Sequence, residues 1–401
     1  MLIDKLIDYC KYDTQSNEDS LTIPSTEKQK LLGKHLLDEL NKLGLSNTQM
    51  DEFGYVYGYL DGDHNKPTIG LNAHMDTSPD ASGENVKPRI IENYDGKDIK
   101  LNDKLATEIS RFPHMVKYTG KTLVVTDGNT LLGADDKAGI AIIMQTLEEL
   151  INNNLPHGPI WVCFSPDEEI GRGTDKFNYD LFKVDFAYTL DGDDVNYIEY
   201  ENFNAASAKV FLTGISVHPG DAKDKMVNAI ALANEFNSYL DPDKVPERTC
   251  GYEGFNHMVS IEGEVGKCEL GYIIRNHDIN KLNEQKQSFL DIEKKMNDKY
   301  GYDCVNVVLK DGYRNMKEKF EGNMYPIELV HEAMDSLGMN FEAKAIRGGT
   351  DGANMTWNGV LCPNLGTGGG NYHGVHEFWC KEDGEKAVKL LEKILEIAKA
   401  H

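Results

Sequence analysis

The chain has 401 residues, a length that suits two domains or one large α/β domain with an insertion. Its composition is that of a globular protein able to bury a sizeable core, with 40% hydrophobic and 27% charged residues. A formal net charge of -24 argues against nucleic acid or an anionic membrane as the main partner. The charge identifies no substrate, because an acidic surface mainly confers solubility.

Seven cysteines are scattered along the chain without a CxxC pair. An odd, scattered set is typical of free thiols in a reducing compartment rather than of a disulfide framework or a structural zinc site. The N-terminal MLIDKLIDYCKY has a helical apolar stripe interrupted by charge, unlike the apolar core of a signal peptide. No apolar run approaches the length needed to cross a bilayer. We therefore expect a soluble cytoplasmic protein.

The first two hundred residues alternate between helix and strand patterns. A helix is predicted over residues 25–43, followed by the strand-like runs YVYGYL and PTIGLNAHMDT. TLLGADD then leads into the apolar-striped helix KAGIAIIMQTLEEL, and PIWVCFS and DFAYTLDG are two further strands. This alternation predicts an α/β fold whose sheet is covered by helices on both faces.

The order of elements changes between about Ala206 and Tyr313. Strand, helix, strand, strand, helix, strand is the split βαβ pattern of a small ferredoxin-like α+β domain. Afterwards the sequence predicts a helix at 326–337, a Gly-rich segment and a last helix at 382–399. We expect a catalytic domain interrupted by an inserted domain, with boundaries at residues 1–205 (catalytic, first part), 206–313 (inserted) and 314–401 (catalytic, second part).

The motif HMDT places His74 and Asp76 at the end of a strand, where residues two apart face the same side. A histidine with a carboxylate two positions away suits a metal ligand and its neighbour. The alternative is a polar turn at the strand end.

The motif GADDKAG places Asp135 and Asp136 where a strand gives way to a helix N-terminus. One aspartate there can cap the helix, since free backbone amides attract negative charge. Capping explains two aspartates less well, and the alternative is a carboxylate that bridges two metal ions.

Two further acidic clusters follow apolar strands, SPDEEIGRG with Glu168 and Glu169, and DGDD with Asp191. In open α/β sheets, ligands bind at the carboxyl ends of the strands. Four such clusters would repel one another unless cations neutralise them. The pattern therefore predicts a metal site.

The C-terminal segment GTGGGNYHGVHEF supplies imidazoles at His373 and His376. Histidines and carboxylates without thiolates suit hydrolytic Zn, Co or Mn sites. The sequence has no GxSxG elbow and no GxxxxGK[ST] loop, so a serine hydrolase or a P-loop enzyme has no support. The local pattern does not decide whether three more polar residues have a functional role, because each also has an ordinary structural explanation. They are His218 in GISVHPG, Arg275 in YIIRNHD and Arg347 in IRGGTDG.

Together, HMDT, GADDKAG, SPDEEIGRG, LDG and NYHGVHE resemble the motifs of the M20 metallopeptidases, most closely their tripeptide aminopeptidase branch. The resemblance runs almost end to end, with the motifs in the expected order. Leu361 stands where a proline is usual and Gly366 where a bulkier residue is common, but neither is an expected ligand. The resemblance implies a zinc-peptidase-like catalytic domain with a mixed sheet between helices. It also implies an inserted lid and dimerisation domain, and a homodimer formed through it.

The resemblance further implies two zinc ions per subunit, with Co²⁺ or Mn²⁺ as alternatives. His74 would bind one ion, His373 the other, and Asp135 would bridge them, with Glu169 and Asp191 completing the shells. Asp135 is chosen because the family pattern reads D-x-K-x-G, and His373 because the family ligand stands four residues before a glutamate.

The remaining roles are also carried over from the resemblance. Asp76 would orient His74, and Glu168 would be the general base that takes a proton from the attacking water. His218 would donate to the developing oxyanion, and Arg275 and Arg347 would hold the carboxylate end of a peptide.

Two other functions stay open on the sequence. A dipeptidase, or an amidohydrolase that removes an acyl group from an amino acid, would keep the fold and change the substrate. The second open function is that of a non-catalytic peptide- or metal-binding protein on the same scaffold. Loss of an expected ligand would favour it, and no expected ligand is lost.

Overall fold

The computed structural model describes residues 1–399. The helices are, in chain order, α1 (Leu2–Cys10), α2 (Gln29–Lys42), α3 (Ala134–Asn153), α4 (Ala229–Ser238), α5 (Ile279–Tyr300), α6 (Lys317–Phe320), α7 (Tyr325–Ser336), α8 (Asp351–Trp357) and α9 (Lys381–Ile397). Short 3₁₀ turns lie at Pro113–Tyr118, Glu168–Ile170, Pro219–Asp221 and Pro246–Arg248.

The strands of the first half of the chain are β1 (Ser46–Met50), β2 (Val56–Leu60), β3 (Ile69–His74), β4 (Arg89–Ile91), β5 (Ile99–Lys100), β6 (Ala106–Thr107), β7 (Leu123–Val125), β8 (Ile160–Ser165), β9 (Phe186–Gly192) and β10 (Tyr197–Asn202). The remaining strands are β11 (Asn204–Thr213), β12 (Phe255–Gly263), β13 (Lys267–Asn276), β14 (Val305–Asp311), β15 (Glu342–Ile346), β16 (Asn364–Gly366), β17 (Gly369–Gly370) and β18 (Phe378–Cys380).

The chain divides into two compact units. The first comprises Met1–Tyr200, Lys319–Lys344 and the described residues from Thr350 on, and the second comprises Glu201–Glu318 and Ala345–Gly349.

The first unit contains a mixed eight-stranded sheet in the order β1-β2-β8-β3-β9-β16-β10-β15. Strands β8, β3, β9 and β16 run parallel to one another, whereas β1–β2, β2–β8 and β10–β16 are antiparallel pairs. The central strands β3 and β8 are buried along their whole length, which explains why they read as continuous apolar runs. The predicted α/β class with a mixed sheet is confirmed.

Helix α3 is the central helix of this unit. It packs against β3 and β9 and contacts α1 and α9. Its apolar residues are buried nearly all round, including Ile140, Ile143 and Leu147. A helix of this kind lies inside a core rather than on a surface, and it fixes the loop at its N-terminus.

Two smaller sheets complete the first unit. The order of the first is β17-β18-β7-β4, with antiparallel pairing, and β5 and β6 form an antiparallel pair. Residues 86–125 carry no sequence pattern that predicts their strands, because these strands are only two or three residues long.

The second unit has the element order β11, α4, β12, β13, α5, β14, in agreement with the predicted ferredoxin-like pattern. Its sheet is antiparallel in the order β12-β13-β11-β14, with a core that includes Val210, Leu270 and Phe289. The side chain of Asp278 caps α5 by accepting hydrogen bonds from the N–H groups of Asn280 and Lys281.

Within residues 1–399, no helix combines the length and the apolar character that crossing a membrane requires.

Candidate dimetal site

The carboxyl ends of three parallel neighbouring strands meet at one edge of the large sheet. His74 is the last residue of β3 and pairs in register with Ser165, the last residue of β8. Asp191 lies near the end of β9, and Glu168 and Glu169 follow β8 by a few residues. The topology therefore brings the HMDT, SPDEE and LDG motifs together, as expected for parallel strands.

The tautomer of His74 is fixed by its backbone neighbour. Nδ1 of His74 lies 3.0 Å from the carbonyl oxygen of Asp76, and a carbonyl can only accept, so Nδ1 carries the proton. The lone pair on Nε2 is then free for a cation. Nε2 lies 3.0 Å from Oδ1 of Asp135 and 3.4 Å from Oδ1 of Asp191.

Asp135 also faces the second histidine. Oδ2 of Asp135 lies 3.3 Å from Nε2 of His373, which in turn lies 2.9 Å from Oε2 of Glu169. The facing imidazoles of His373 and His74 outweigh the effect of burial and hold the pKa of Asp135 below its ordinary value. The carboxylate of Asp135 thus stands between two imidazoles, with Asp191 also facing His74 and Glu169 also facing His373.

The donor set fits divalent cations. Ligand atoms of His74, Asp135 and Glu169 lie within 4.8 Å of one another, as do those of His74, Glu168 and Asp191. Imidazole nitrogens with carboxylate oxygens, and no thiolate, are the ligands of hydrolytic zinc sites. Oε1 of Glu169 is buried and has no hydrogen-bond partner among the described residues, so one donor atom is available.

The electrostatics of the cluster also favour bound cations. Burial, and then the facing Asp135, raise the pKa of Glu169 to about 8. Burial raises the pKa of Asp191 to about 6. Carboxyl groups crowded together in a dry site resist ionisation, and cations remove this penalty. The residues present therefore fit two metal ions.

Glu168 is placed differently from Glu169. Its Oε2 lies 4.0 Å from Nε2 of His74, farther than the oxygens of Asp135 and Asp191. Burial, followed by the nearby Asp191, raises the pKa of Glu168 well above its ordinary value. A carboxylate that holds a proton more readily suits general base and acid work near neutral pH.

The carboxylate of Asp76 holds the loop that carries both glutamates. Its Oδ1 accepts from the N–H of Glu168 at 2.9 Å, and its Oδ2 accepts from the N–H of Glu169 at 3.2 Å. The same Oδ1 lies 3.3 Å from Nδ1 of His74. Asp76 therefore connects the His74 strand to the SPDEE loop, beyond the orienting role that the resemblance implies.

Two acids next to the predicted site residues, Asp136 and Asp167, have structural roles. Asp136 accepts from the N–H of His74 at 3.1 Å and from the N–H of Gly139 at 3.2 Å, so it caps the start of α3 and ties it to β3. Asp167 is buried, and its carboxylate accepts from the N–H and Oγ of Ser25 and from Nε2 of Gln29 at 2.5–2.7 Å.

Glu377 is a buried residue whose role local sequence pattern did not reveal. Its carboxylate accepts hydrogen bonds from the backbone N–H groups of Leu132, Gly133 and Asp135. The signal that could have found it is its position, four residues after His373. His376 lies 3.0 Å from Thr107 Oγ1 through Nδ1 and packs against the ring of Phe112.

Three predicted site residues belong to the second unit and are described there alone. His218 is exposed, and its Nδ1 accepts from the N–H of Gly220 at 3.1 Å. Nε of Arg275 donates to Tyr313 at 2.9 Å, and its guanidinium lies over that ring. Nη1 of Arg347 donates to the carbonyls of two residues, Gly251 and Glu253. The roles of His218, Arg275 and Arg347 stay predictions.

Comparison with known families and proteins gives a consistent result. The model of peptidase family M20/M25/M40 matches residues 122–397. The chain is similar to Peptidase T of Halothermothrix orenii, with 50% identity over 401 residues that cover 99% of this chain and 98% of the relative. Peptidase T of Clostridium acetobutylicum is 48% identical with the same coverage.

Solved structures share the fold at low sequence identity. A tripeptidase from Staphylococcus aureus has a TM-score of 0.79 at 21% identity, covering 99% of this chain and 97% of that chain. Aminopeptidase PepT from Bacillus cereus has a TM-score of 0.78 at 21% identity, with 98% and 97% covered. A dinuclear metal-binding M20 peptidase from Bacillus subtilis has a TM-score of 0.67 at 14% identity, with 99% and 97% covered.

Proposed function

This chain belongs to peptidase family M20/M25/M40, and we propose that it is a dizinc aminopeptidase that releases the N-terminal residue from tripeptides. The observation that carries the proposal is the position of Asp135 between His74 and His373, with Asp191 beside the first and Glu169 beside the second. The full-length similarity to proteins named Peptidase T supports the substrate class.

The proposed metal ligands are His74 and Asp191 for one ion, His373 and Glu169 for the other, and Asp135 for both. When bound, the two ions lower the pKa of a water molecule and polarise the carbonyl of the scissile bond. Zinc agrees with the donor set, and Co²⁺ or Mn²⁺ would also accept nitrogen and carboxylate ligands. The solved relative from Bacillus subtilis is described as a dinuclear metal-binding peptidase.

Glu168 is the proposed general base. Its carboxylate accepts the proton of the attacking water and passes that proton to the leaving amine, so one residue serves both halves of the reaction. The raised pKa of Glu168 favours this return of the proton. Asp76 keeps Glu168 in place through the backbone N–H of that residue and keeps His74 beside it.

The second unit supplies the proposed substrate contacts. Because Nδ1 of His218 accepts from Gly220, its proton lies on Nε2, which can donate to a developing oxyanion. Arg275 and Arg347 would hold the C-terminal carboxylate of the peptide, a task that suits a planar guanidinium. We propose the boundaries 206–313 for the lid and dimerisation domain and 1–205 with 314–401 for the catalytic domain.

We further propose a cytoplasmic homodimer. Its seven cysteines are free thiols, six of them buried, as expected in a reducing compartment. The edge strand β12 carries the exposed Val259 and Ile261, which agrees with an interface on the second unit. Sedimentation equilibrium would test the dimer, and a monomer at micromolar concentration would contradict it.

The substrate class is tested by comparing a panel of free tripeptides with dipeptides and N-acetyl amino acids. We expect tripeptide hydrolysis at the first peptide bond, with a free N-terminal amino acid and a dipeptide as products. Hydrolysis of only the acylated compounds would favour an N-acyl amino acid amidohydrolase, and hydrolysis of only dipeptides would favour a dipeptidase.

A further inference from the structure

We propose that Glu377 is a positioning residue that fixes the distance between His373 and Asp135. It would thereby set the affinity of the second metal ion, the one that His373 and Glu169 would bind. The inference rests on the proposed dimetal function. Glu377 is 1% exposed and lies at the base of the loop that connects β17 to β18 and carries His373. Its carboxylate contacts the predicted ligand Asp135 only through the backbone N–H of that residue, so it would act through the backbone.

The base of this loop is held by burial and backbone pairing. The next residue, Phe378, is 1% exposed and pairs with Val125 in the antiparallel β18–β7 ladder. The backbone N–H of Glu377 also donates to the carbonyl of Gly374 at 3.2 Å. The carboxylate of Glu377 therefore projects from a fixed point four residues after His373.

That carboxylate accepts three hydrogen bonds from the segment that leads to Asp135. Oε2 accepts from the N–H groups of Leu132 and Gly133 at 2.7 and 2.9 Å, and Oε1 accepts from the N–H of Asp135 at 3.0 Å. Gly133 has a φ of +83°, in the left-handed region that suits glycine, and the buried N–H groups of this turn need hydrogen-bond partners. Hydrogen bonds to a buried carboxylate are the strong kind.

The other pairs of ligand segments are joined by different acids. Asp136 ties α3 to the N–H of His74, and Asp76 ties the His74 strand to the N–H groups of Glu168 and Glu169. Removing the contact at Glu377 leaves these two ties in place. The geometry between His74 and Asp135 should then persist, while the geometry between His373 and Asp135 loosens.

The substitution Glu377→Gln separates these effects. A glutamine can keep its oxygen toward Leu132 and Gly133, but its NH₂ group then faces the N–H of Asp135, donor against donor. The matched control is Glu382→Gln, since Oε2 of Glu382 also accepts a backbone hydrogen bond, from Thr122 at 2.9 Å, away from the predicted ligands.

The experiment titrates metal-free protein with Co²⁺ and follows visible absorption, which reports the two ions as they bind. For the unsubstituted protein and E382Q we expect two Co²⁺ ions per subunit with the same two dissociation constants. For E377Q we expect the first dissociation constant to change little. The second, which describes the ion held by His373, should increase by about 10-fold or more, as for other residues that orient metal ligands.

Equal weakening of both constants in E377Q, or no change in either, would overturn the inference, since a general loss of stability predicts no selective effect. Fewer than two Co²⁺ ions on the unsubstituted protein would instead overturn the proposed dimetal function. If E377Q does not fold, Glu377→Asp keeps the charge and withdraws it by one methylene. The second constant of E377D must then weaken relative to the first, and unchanged constants would overturn the inference.

Discussion

Asp135 presents one carboxylate oxygen to each of two histidines, Oδ1 at 3.0 Å from Nε2 of His74 and Oδ2 at 3.3 Å from Nε2 of His373. The two histidines come from segments almost three hundred residues apart in the chain, β3 and the β17–β18 loop. A side chain shared in this way makes the two halves of the proposed site interdependent. Removing the shared residue and removing one histidine should therefore have different consequences.

The substitution Asp135→Ala is expected to abolish high-affinity binding of both zinc ions, whereas His373→Ala should leave one ion bound. His373 is the more exposed histidine, with 43% of its side chain accessible, so its loss should disturb folding little. Elemental analysis after dialysis against buffered free zinc measures the stoichiometry. Equal zinc content in D135A and H373A would show that Asp135 is not shared.

The substitution Glu168→Gln is expected to lower kcat for tripeptide hydrolysis by about 10²- to 10⁴-fold, because the general base is lost. Zinc content should stay that of the unsubstituted protein, since Glu168 is not a proposed ligand. Glu169→Gln serves as the comparison and should lose metal. If E168Q kept its kcat while E169Q lost zinc, the base assignment would be wrong and the ligand assignment right.

The substitution Asp167→Ala is expected to lower the free energy of unfolding by about 3 kcal/mol, since it leaves buried donors of Ser25 and Gln29 unsatisfied. Urea denaturation of the metal-free protein measures this change. The control Asp180→Ala removes a fully exposed carboxylate and should be nearly neutral. Equal midpoints for the two variants would refute the anchoring role of Asp167.

The fold was largely predictable because its signals are local. The buried strands β3, β8 and β9 read as apolar runs, and the element order of the second unit follows from alternating periodicities. The segment 86–125 was not predicted, since its strands of two or three residues carry no periodicity. The pairing of these strands depends on partners such as β18, which lie far away in the chain.

The candidate site was predictable where acids follow strands, because parallel strands end at one edge of a sheet. The functions of Asp167, Asp136 and Glu377 were not, since each is defined by backbone N–H groups that the sequence does not display. The structure shows that the carboxylate of Asp167 joins the SPDEE loop to Ser25 and Gln29.

The most direct measurement of the central claim is tripeptide cleavage followed with product identification before chelation, after chelation and after zinc is restored. We expect the N-terminal amino acid to be released at first, release to cease when both metal ions are removed, and release to return at two zinc ions per subunit. Cleavage that continues in protein shown by elemental analysis to hold no metal would contradict the account.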